Sequence, residues 1–199
     1  MKNIKITRKI TQRMYVLTTT DGGCIVDAVS QISSGDNPLV AVSVMKNNYT
    51  NELLKKNDKF CISVLAKDVN PEIIKTFGFN SMRDINKFEN TKTTLINNIH
   101  IIDDSLGYML CEKVDSIDND THTLFIGKII EADVYEDKEA MSYQYYQEHK
   151  EELLKIKTEQ GKTAWVCSIC GYIYYEEEIP DDFQCPTCGV SKDFFDIKK

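Results

Sequence analysis

Four cysteines near the end of the chain constrain it most: Cys167-Ser168-Ile169-Cys170-Gly171 and Cys185-Pro186-Thr187-Cys188-Gly189, two C-x-x-C knuckles 14 residues apart. The stretch that holds them, residues 165–199, is too short to bury an ordinary core, so its fold must close around something besides side chains. Two facing C-x-x-C turns place four thiolates about one tetrahedral metal. A glycine follows each second cysteine, and a residue free to take φ > 0 lets the following backbone N–H groups turn toward the sulfurs. Four sulfurs suit zinc or iron. Zinc would make the module structural, whereas iron would make it a one-electron carrier. Trp165, Tyr172, Tyr174, Phe183, Phe194 and Phe195 crowd the same stretch. They favour iron modestly, and they also answer the need for large rings to bury surface in so short a module.

Charge narrows the choice. Residues 165–199 hold three lysines against seven carboxylates, so −4 of the formal net charge of −7 sits there. A zinc module gripping nucleic acid would need lysine and arginine for the phosphates, so nucleic acid is not an expected partner. No apolar run approaches a membrane span and no signal-peptide segment opens the chain, which reads as cytoplasmic with no membrane contact. Beyond the four candidate ligands, Cys24, Cys61 and Cys111 have apolar neighbours and read as buried, inert thiols.

The 199 residues also leave room for one domain of ordinary size ahead of the metal module. Strand-like runs fall at 14–18, 24–32, 39–45, 60–65, 94–102, 109–117 and 122–134. Gly22-Gly23, Gly35-Asp36-Asn37-Pro38 and Asp118-Asn119-Asp120 supply turns between them. Apolar residues occupy both alternation phases in several runs, as in Leu124-Phe125-Ile126, which suits strands covered on both sides. Short helices are expected at 49–56 and from Asn70-Pro71, with Asn as N-cap and Pro at the first helical position. Without repeated βαβ spacing or G-x-G-x-x-G, a dinucleotide-binding doubly wound sheet is excluded, and an antiparallel barrel with inserted helices fits. Residues 139–160 read as a charged surface helix with a broken apolar stripe of Met141, Tyr145, Leu153 and Ile156. The tether Gly161-Lys162-Thr163-Ala164 follows. The expected division is a domain of residues 1–160 and a module of residues 165–199.

The barrel has no catalytic signature legible from spacing. It has no Ser-His-Asp arrangement and no H-E-x-x-H. Small polar residues do interrupt its apolar strands: Asp27, Ser30 and Ser33, then Ser43 and Lys46, then Asn48-Tyr49-Thr50 at a helix start. A helix N-terminus beside hydroxyls and a lysine can hold an anion, while capping and sheet-edge roles account for the same residues.

Two resemblances join these observations. Trp165-Val166-Cys167-x-x-Cys170-Gly171-Tyr172, Pro180-Asp181-Asp182-Phe183, Cys185-Pro186-x-Cys188-Gly189 and Lys192-Asp193-x-Phe195 resemble a rubredoxin. The short gap between knuckles is nearer to the tail domain of rubrerythrins. Residues 23–33, 42–52, 77–88 and 122–127 resemble the flavin reductase-like family, whose fold is an FMN-binding split barrel. The combination is similar to the high-molecular-weight rubredoxins. The resemblance implies a mainly β protein: a split barrel with inserted helices, plus a small C-terminal rubredoxin-like metal module.

It also implies roles. Asp27, Val29, Ser30, Gln31 and Ser33 would lie along the isoalloxazine and ribityl chain of FMN. Ser43, Lys46, Asn48, Tyr49 and Thr50 would surround its phosphate, and Ser81 and Lys87 would approach from the other side. His122 would stand near the nicotinamide of NAD(P)H, and Cys167, Cys170, Cys185 and Cys188 would hold one iron, with zinc the alternative. Three positions depart from the family pattern: Asp27 where Asn is usual, Met82 for Gly, and Thr121 for Asp. A carboxylate at position 27 cannot donate a hydrogen bond unless protonated. The implied activity passes electrons from NAD(P)H through FMN to iron, then to an acceptor such as a flavodiiron oxygen or nitric oxide reductase. A homodimer with flavin at the subunit interface is implied as well. Two other readings stay open: a reductase supplying reduced flavin to a partner, and a zinc-binding module on a non-catalytic barrel.

Overall fold

The computed structural model describes residues 10–154, 164–169, 171–187 and 189–198. The chain divides into two compact units, Met1–Tyr145 and Tyr146–Lys199. Among the described residues no helix is long and apolar enough to cross a membrane.

The first unit is built on one antiparallel sheet of seven strands: β1 (Tyr15–Thr19), β2 (Gly22–Val26), β3 (Val29–Gln31), β4 (Leu39–Met45), β5 (Lys59–Val64), β8 (Gly107–Asp118) and β9 (His122–Val134). A separate two-stranded hairpin supplies β6 (Thr93–Ile96) and β7 (Ile99–Ile102). The spatial order of the large sheet is β2-β1-β5-β8-β9-β4-β3. Its two edge strands, β2 and β3, are consecutive in sequence with only Asp27 and Ala28 between them. Two intervening residues span no more than about 11 Å, so a sheet this wide can join its edges only by curling into a barrel. The Ser43 amide donates to the Ala28 carbonyl at 3.0 Å, which extends the β3–β4 ladder up to that crossing. Leu17, Val42, Phe60, Ile62 and Phe125, fully buried, fill the interior. Phe60 fits because residue 127 is glycine: a Cβ there would lie 2.4 Å from the ring.

Two expected strands are divided. The run 24–32 breaks at the seam into β2 and β3. The run 94–102 is the β6–β7 hairpin, turned by Asn97 and Asn98, both at positive φ (51° and 64°). Asparagine tolerates that left-handed region, and consecutive positive φ values make the tight turn that suits twisted strands. Helices α1 (Tyr49–Lys56) and α2 (Pro71–Phe79) start where expected, each capped by an asparagine side chain that accepts from the amide two residues on.

Helix α3 (Tyr143–Leu153) is shorter than the expected 139–160, and residues 155–163 lie outside the described set. Its buried face also differs: Tyr146, Lys150 and Leu154 are buried, while Tyr145 and Leu153 are half-buried. Met141 is buried as expected and Ile156 lies outside the described residues; between them a lysine in the packed face breaks the apolar pattern, and the buried positions run one residue later than expected.

In the second unit, β11 (Ile173–Tyr175), β10 (Ala164–Cys167) and β12 (Phe195–Lys198) form a three-stranded antiparallel sheet in that order. Cys167, Cys185 and Phe195 are its buried centre, with Trp165, Tyr172, Tyr174 and Phe183 packed around them. Phe183 stands edge-on to Phe195 at 5.4 Å and tilted against Tyr174 at 4.6 Å. Phe194, 41% exposed, does not join this centre.

Candidate functional site

The barrel seam gathers most of the polar residues singled out above. Asp27 sits at the turn between the two edge strands. Burial lifts its carboxyl above the usual carboxylate range, opposed by the amides of Asp27 and Ala28 and by nearby His122. His122 opens β9 opposite Met45, and its Nδ1 lies 2.8 Å from Thr121 Oγ1. The Lys46 amide donates to the Thr121 carbonyl at 3.0 Å, which ties the end of β4 to the start of β9. Beyond the seam, Val29 is half-buried and Ser30 and Gln31 are exposed. Their side-chain bonds are local: Ser30 Oγ to Gln31 O at 3.4 Å, Gln31 Nε2 to Ser33 O at 3.0 Å. Ser33 Oγ accepts from the Leu39 amide at 2.9 Å, closing the β3–β4 loop.

The start of α1 stands beside this strip. Asn48 Oδ1 caps the Thr50 amide at 2.9 Å, so the Asn48 side chain is occupied in ordering the helix. Thr50 is buried and Tyr49 half-buried. Lys46 Nζ is 4.0 Å from Asp118, which Lys55 approaches to 3.3 Å and to which Thr123 Oγ1 donates at 2.5 Å. Those bonds, Thr123 foremost, hold the Asp118 carboxyl below its ordinary value. Arg83 packs 4.5 Å over the Tyr49 ring and pairs with Glu52 of α1. Arg83 and Lys55 were not singled out from the sequence, although Arg83 lies in a loop that was, and Asp118 was read only as a turn residue.

Ser81 Oγ accepts from the Arg83 amide at 3.1 Å and shapes that loop. Lys87, at the loop's far end, is only 3% exposed, and its ammonium donates to Gly23 O at 2.8 Å and Phe77 O at 3.3 Å. Burial lowers its pKa to about 8. Here Lys87 is an internal strut between β2 and α2 rather than a group presented on an open surface. The donor set nevertheless fits a flavin phosphate. Lys46 and Arg83 bring two cations to a helix start with N–H groups, and the exposed β3 strand offers backbone and hydroxyl donors beside it.

The metal module fits four-thiolate ligation equally well. Cys167 and Cys185 are buried in one cluster; Cys170 and Cys188 lie outside the described residues. The knuckles share one hydrogen-bond pattern. The Cys167 amide donates to Tyr172 O at 2.8 Å and Gly171 N to Cys167 O at 2.9 Å. The Cys185 amide likewise donates to Val190 O at 2.8 Å and Gly189 N to Cys185 O at 2.8 Å. Gly171 and Gly189 take φ of 84° and 72°, the left-handed region expected of them. Burial pushes the Cys61 and Cys111 thiols up to about 12, as suits inert core residues.

A curled antiparallel barrel with a cationic helix start at its seam, and a two-knuckle module with buried thiols, define an oxidoreductase of two redox modules. The chain belongs to the flavin reductase-like family: the flavin reductase like domain matches residues 7–154, and a rubrerythrin, rubredoxin-like domain matches residues 165–196. It is 32% identical to the high molecular weight rubredoxin of Moorella thermoacetica, over 96% of this chain and 98% of that protein. It is 30% identical to a ferric-chelate reductase (NAD(P)H) of Archaeoglobus fulgidus, over 69% of this chain and 85% of that one. Among solved structures, the NADH:FAD oxidoreductase SgcE6 of Streptomyces globisporus C-1027 has the same barrel fold, with a TM-score of 0.64 at 18% identity. That match covers 70% of this chain and 85% of the other. The mainly β split barrel with a rubredoxin-like module, expected from the resemblance, is therefore the architecture found.

Proposed function

We propose that the chain passes electrons from NAD(P)H through FMN in the barrel to one iron in the second module, and from there to an external redox protein such as a flavodiiron reductase. The observation that carries this reading is the presence of both modules in one polypeptide, with similarity along nearly its whole length to a high molecular weight rubredoxin. The name of the Archaeoglobus relative supports a nicotinamide donor. When bound, the flavin accepts a hydride and releases single electrons, and the four-thiolate iron exchanges one electron at a time.

The residues have distinct tasks. Lys46 and Ser43, with the N–H groups at the start of α1, hold the phosphate, and Asn48 and Thr50 order that helix start. Tyr49, under Arg83, borders the same end. Residues 27–33 line the ring and ribityl chain with backbone donors, and Ser81 shapes the loop beside them. Lys87 fixes β2 beneath that loop. His122 and Asp27 flank the seam where the nicotinamide docks. Cys167, Cys170, Cys185 and Cys188 hold the iron. Residues 1–160 serve as the flavin module and 165–199 as the iron module, kept at high mutual concentration by the short tether. The working form is a cytoplasmic homodimer. The carboxylates of the iron module steer transient docking onto a basic patch of the acceptor.

A visible spectrum of the purified chain tests this directly: flavin and ferric–thiolate bands are expected, and a colourless protein with stoichiometric zinc would refute it. Anaerobic NAD(P)H should bleach both sets of bands. Bleaching of the flavin alone favours a reductase that supplies free flavin.

A further inference from the structure

We propose that Lys150 is a positioning residue that sets the reduction potential of the four-thiolate iron by holding a buried positive charge against the first knuckle. This rests on the reading of that site as iron. Within the second unit, the last two turns of α3 pack onto residues 167–169 and 171. Lys150 is 8% exposed, and its ammonium donates to Cys167 O and Ser168 O, both at 3.2 Å, and to Gln147 Oε1 at 3.0 Å. Gln147 Nε2 donates to Ile169 O, so α3 side chains serve three successive carbonyls of the knuckle. The packing is close: a Cβ on buried Gly171 would lie 3.0 Å from Tyr146 Oη and 3.3 Å from Lys150 Cδ.

A lysine is a costly group to bury, and oxygen acceptors on every side are what make it tolerable. Its stem covers Gly171 while its charge rests on the backbone of a ligand cysteine. The carboxylates of the same helix, Glu148, Glu151 and Glu152, are exposed.

Ferric iron with four thiolates carries a net charge of −1, and one added electron makes it −2, with no bond or proton changed. Nearby positive charge favours the −2 state and raises the potential. A unit charge at separations on the order of 10 Å, at an effective dielectric constant of about 20, shifts such an equilibrium roughly tenfold. Removing the ammonium changes the local charge by one whatever else it touches.

The test is a spectroelectrochemical titration of the iron bands in the full-length chain, poised with dithionite and mediators, alongside metal content. Lys150→Met should lower the one-electron equilibrium constant about tenfold, which is about 59 mV. Lys150→Arg should stay near wild type. Gln147→Glu, which sets a carboxylate beside the retained lysine, should move the potential in the same direction as Lys150→Met. It decides the matter if Lys150→Met fails to load iron. Iron-loaded variants at the wild-type potential would overturn the proposal, as would an arginine variant that falls as far as methionine. A wild type loaded with zinc would remove the iron reading itself and this inference with it.

Discussion

Lys87 offers a measurable consequence of burying an ammonium on two carbonyl oxygens. Its pKa falls from 10.5 to about 8 in the folded chain, chiefly through burial. The unfolded chain binds that proton more tightly, so between about pH 8 and 10.5 this residue makes the fold more stable as pH rises. The full displacement corresponds to roughly 3 kcal/mol, of which about 2 kcal/mol should appear between pH 7.5 and 9.5. Half-buried Tyr15 and buried Cys24, Cys61 and Cys111 act in the opposite direction over the same range, because their raised pKa values favour unfolding once the unfolded chain can ionise them. The informative quantity is therefore the difference between wild type and Lys87→Met. Methionine leaves the carbonyls of Gly23 and Phe77 without this donor, a penalty of about 1–3 kcal/mol each that does not depend on pH. Urea unfolding at pH 7.5, 8.5 and 9.5 should show the advantage of wild type over the variant growing by about 2 kcal/mol. A constant difference would mean that Lys87 titrates normally and that its ammonium is not held inside.

Three further outcomes follow from geometry. Gly127→Ala forces a methyl into the Phe60 ring and should cost about 1–3 kcal/mol in urea unfolding; a neutral result would mean that the barrel interior is looser than described. Lys46→Met should weaken FMN binding to the flavin-stripped protein about 5- to 30-fold by fluorescence titration, the loss expected for one charge-assisted phosphate contact, with no change in iron content. Asn48→Ala should lower stability by about 1 kcal/mol through the lost cap and weaken the same flavin titration, whereas Asn70→Ala should lower stability alone.

What was legible in the sequence was local chemistry. Asn48 and Asn70-Pro71 announce helix starts because capping acts between neighbours, and Gly171 and Gly189 announce turns because only the backbone at those positions matters. The run 122–134 reads as one strand because nothing within it interrupts the ladder. The break at Asp27-Ala28 was not legible. Cys24 to Ile32 has continuous strand character, and only the closure of a seven-stranded sheet requires the chain to cross from one edge to the other there. At the seam, Asp27, Ser43, Lys46 and His122 were recognisable as polar residues in apolar surroundings. Arg83 over Tyr49 and Lys87 inside the fold depend on how a loop folds back on β2 and α1. Lys150 escaped notice for a different reason: a lysine reads as a solvent-facing residue unless its acceptors are known, and these lie 17 and 18 residues further along the chain.

The matching hydrogen bonds of the two knuckles make them near-copies, yet they end in different surroundings. Gly171 is buried under Tyr146 and Leu154, whereas Pro186 is exposed and Thr187 and Gly189 are half-buried. Duplicate knuckles would give the metal centre two interchangeable terminals. With one of them sheathed by the chain's own helix, the two ends are inequivalent, and the knuckle that carries Pro186 keeps the greater exposure.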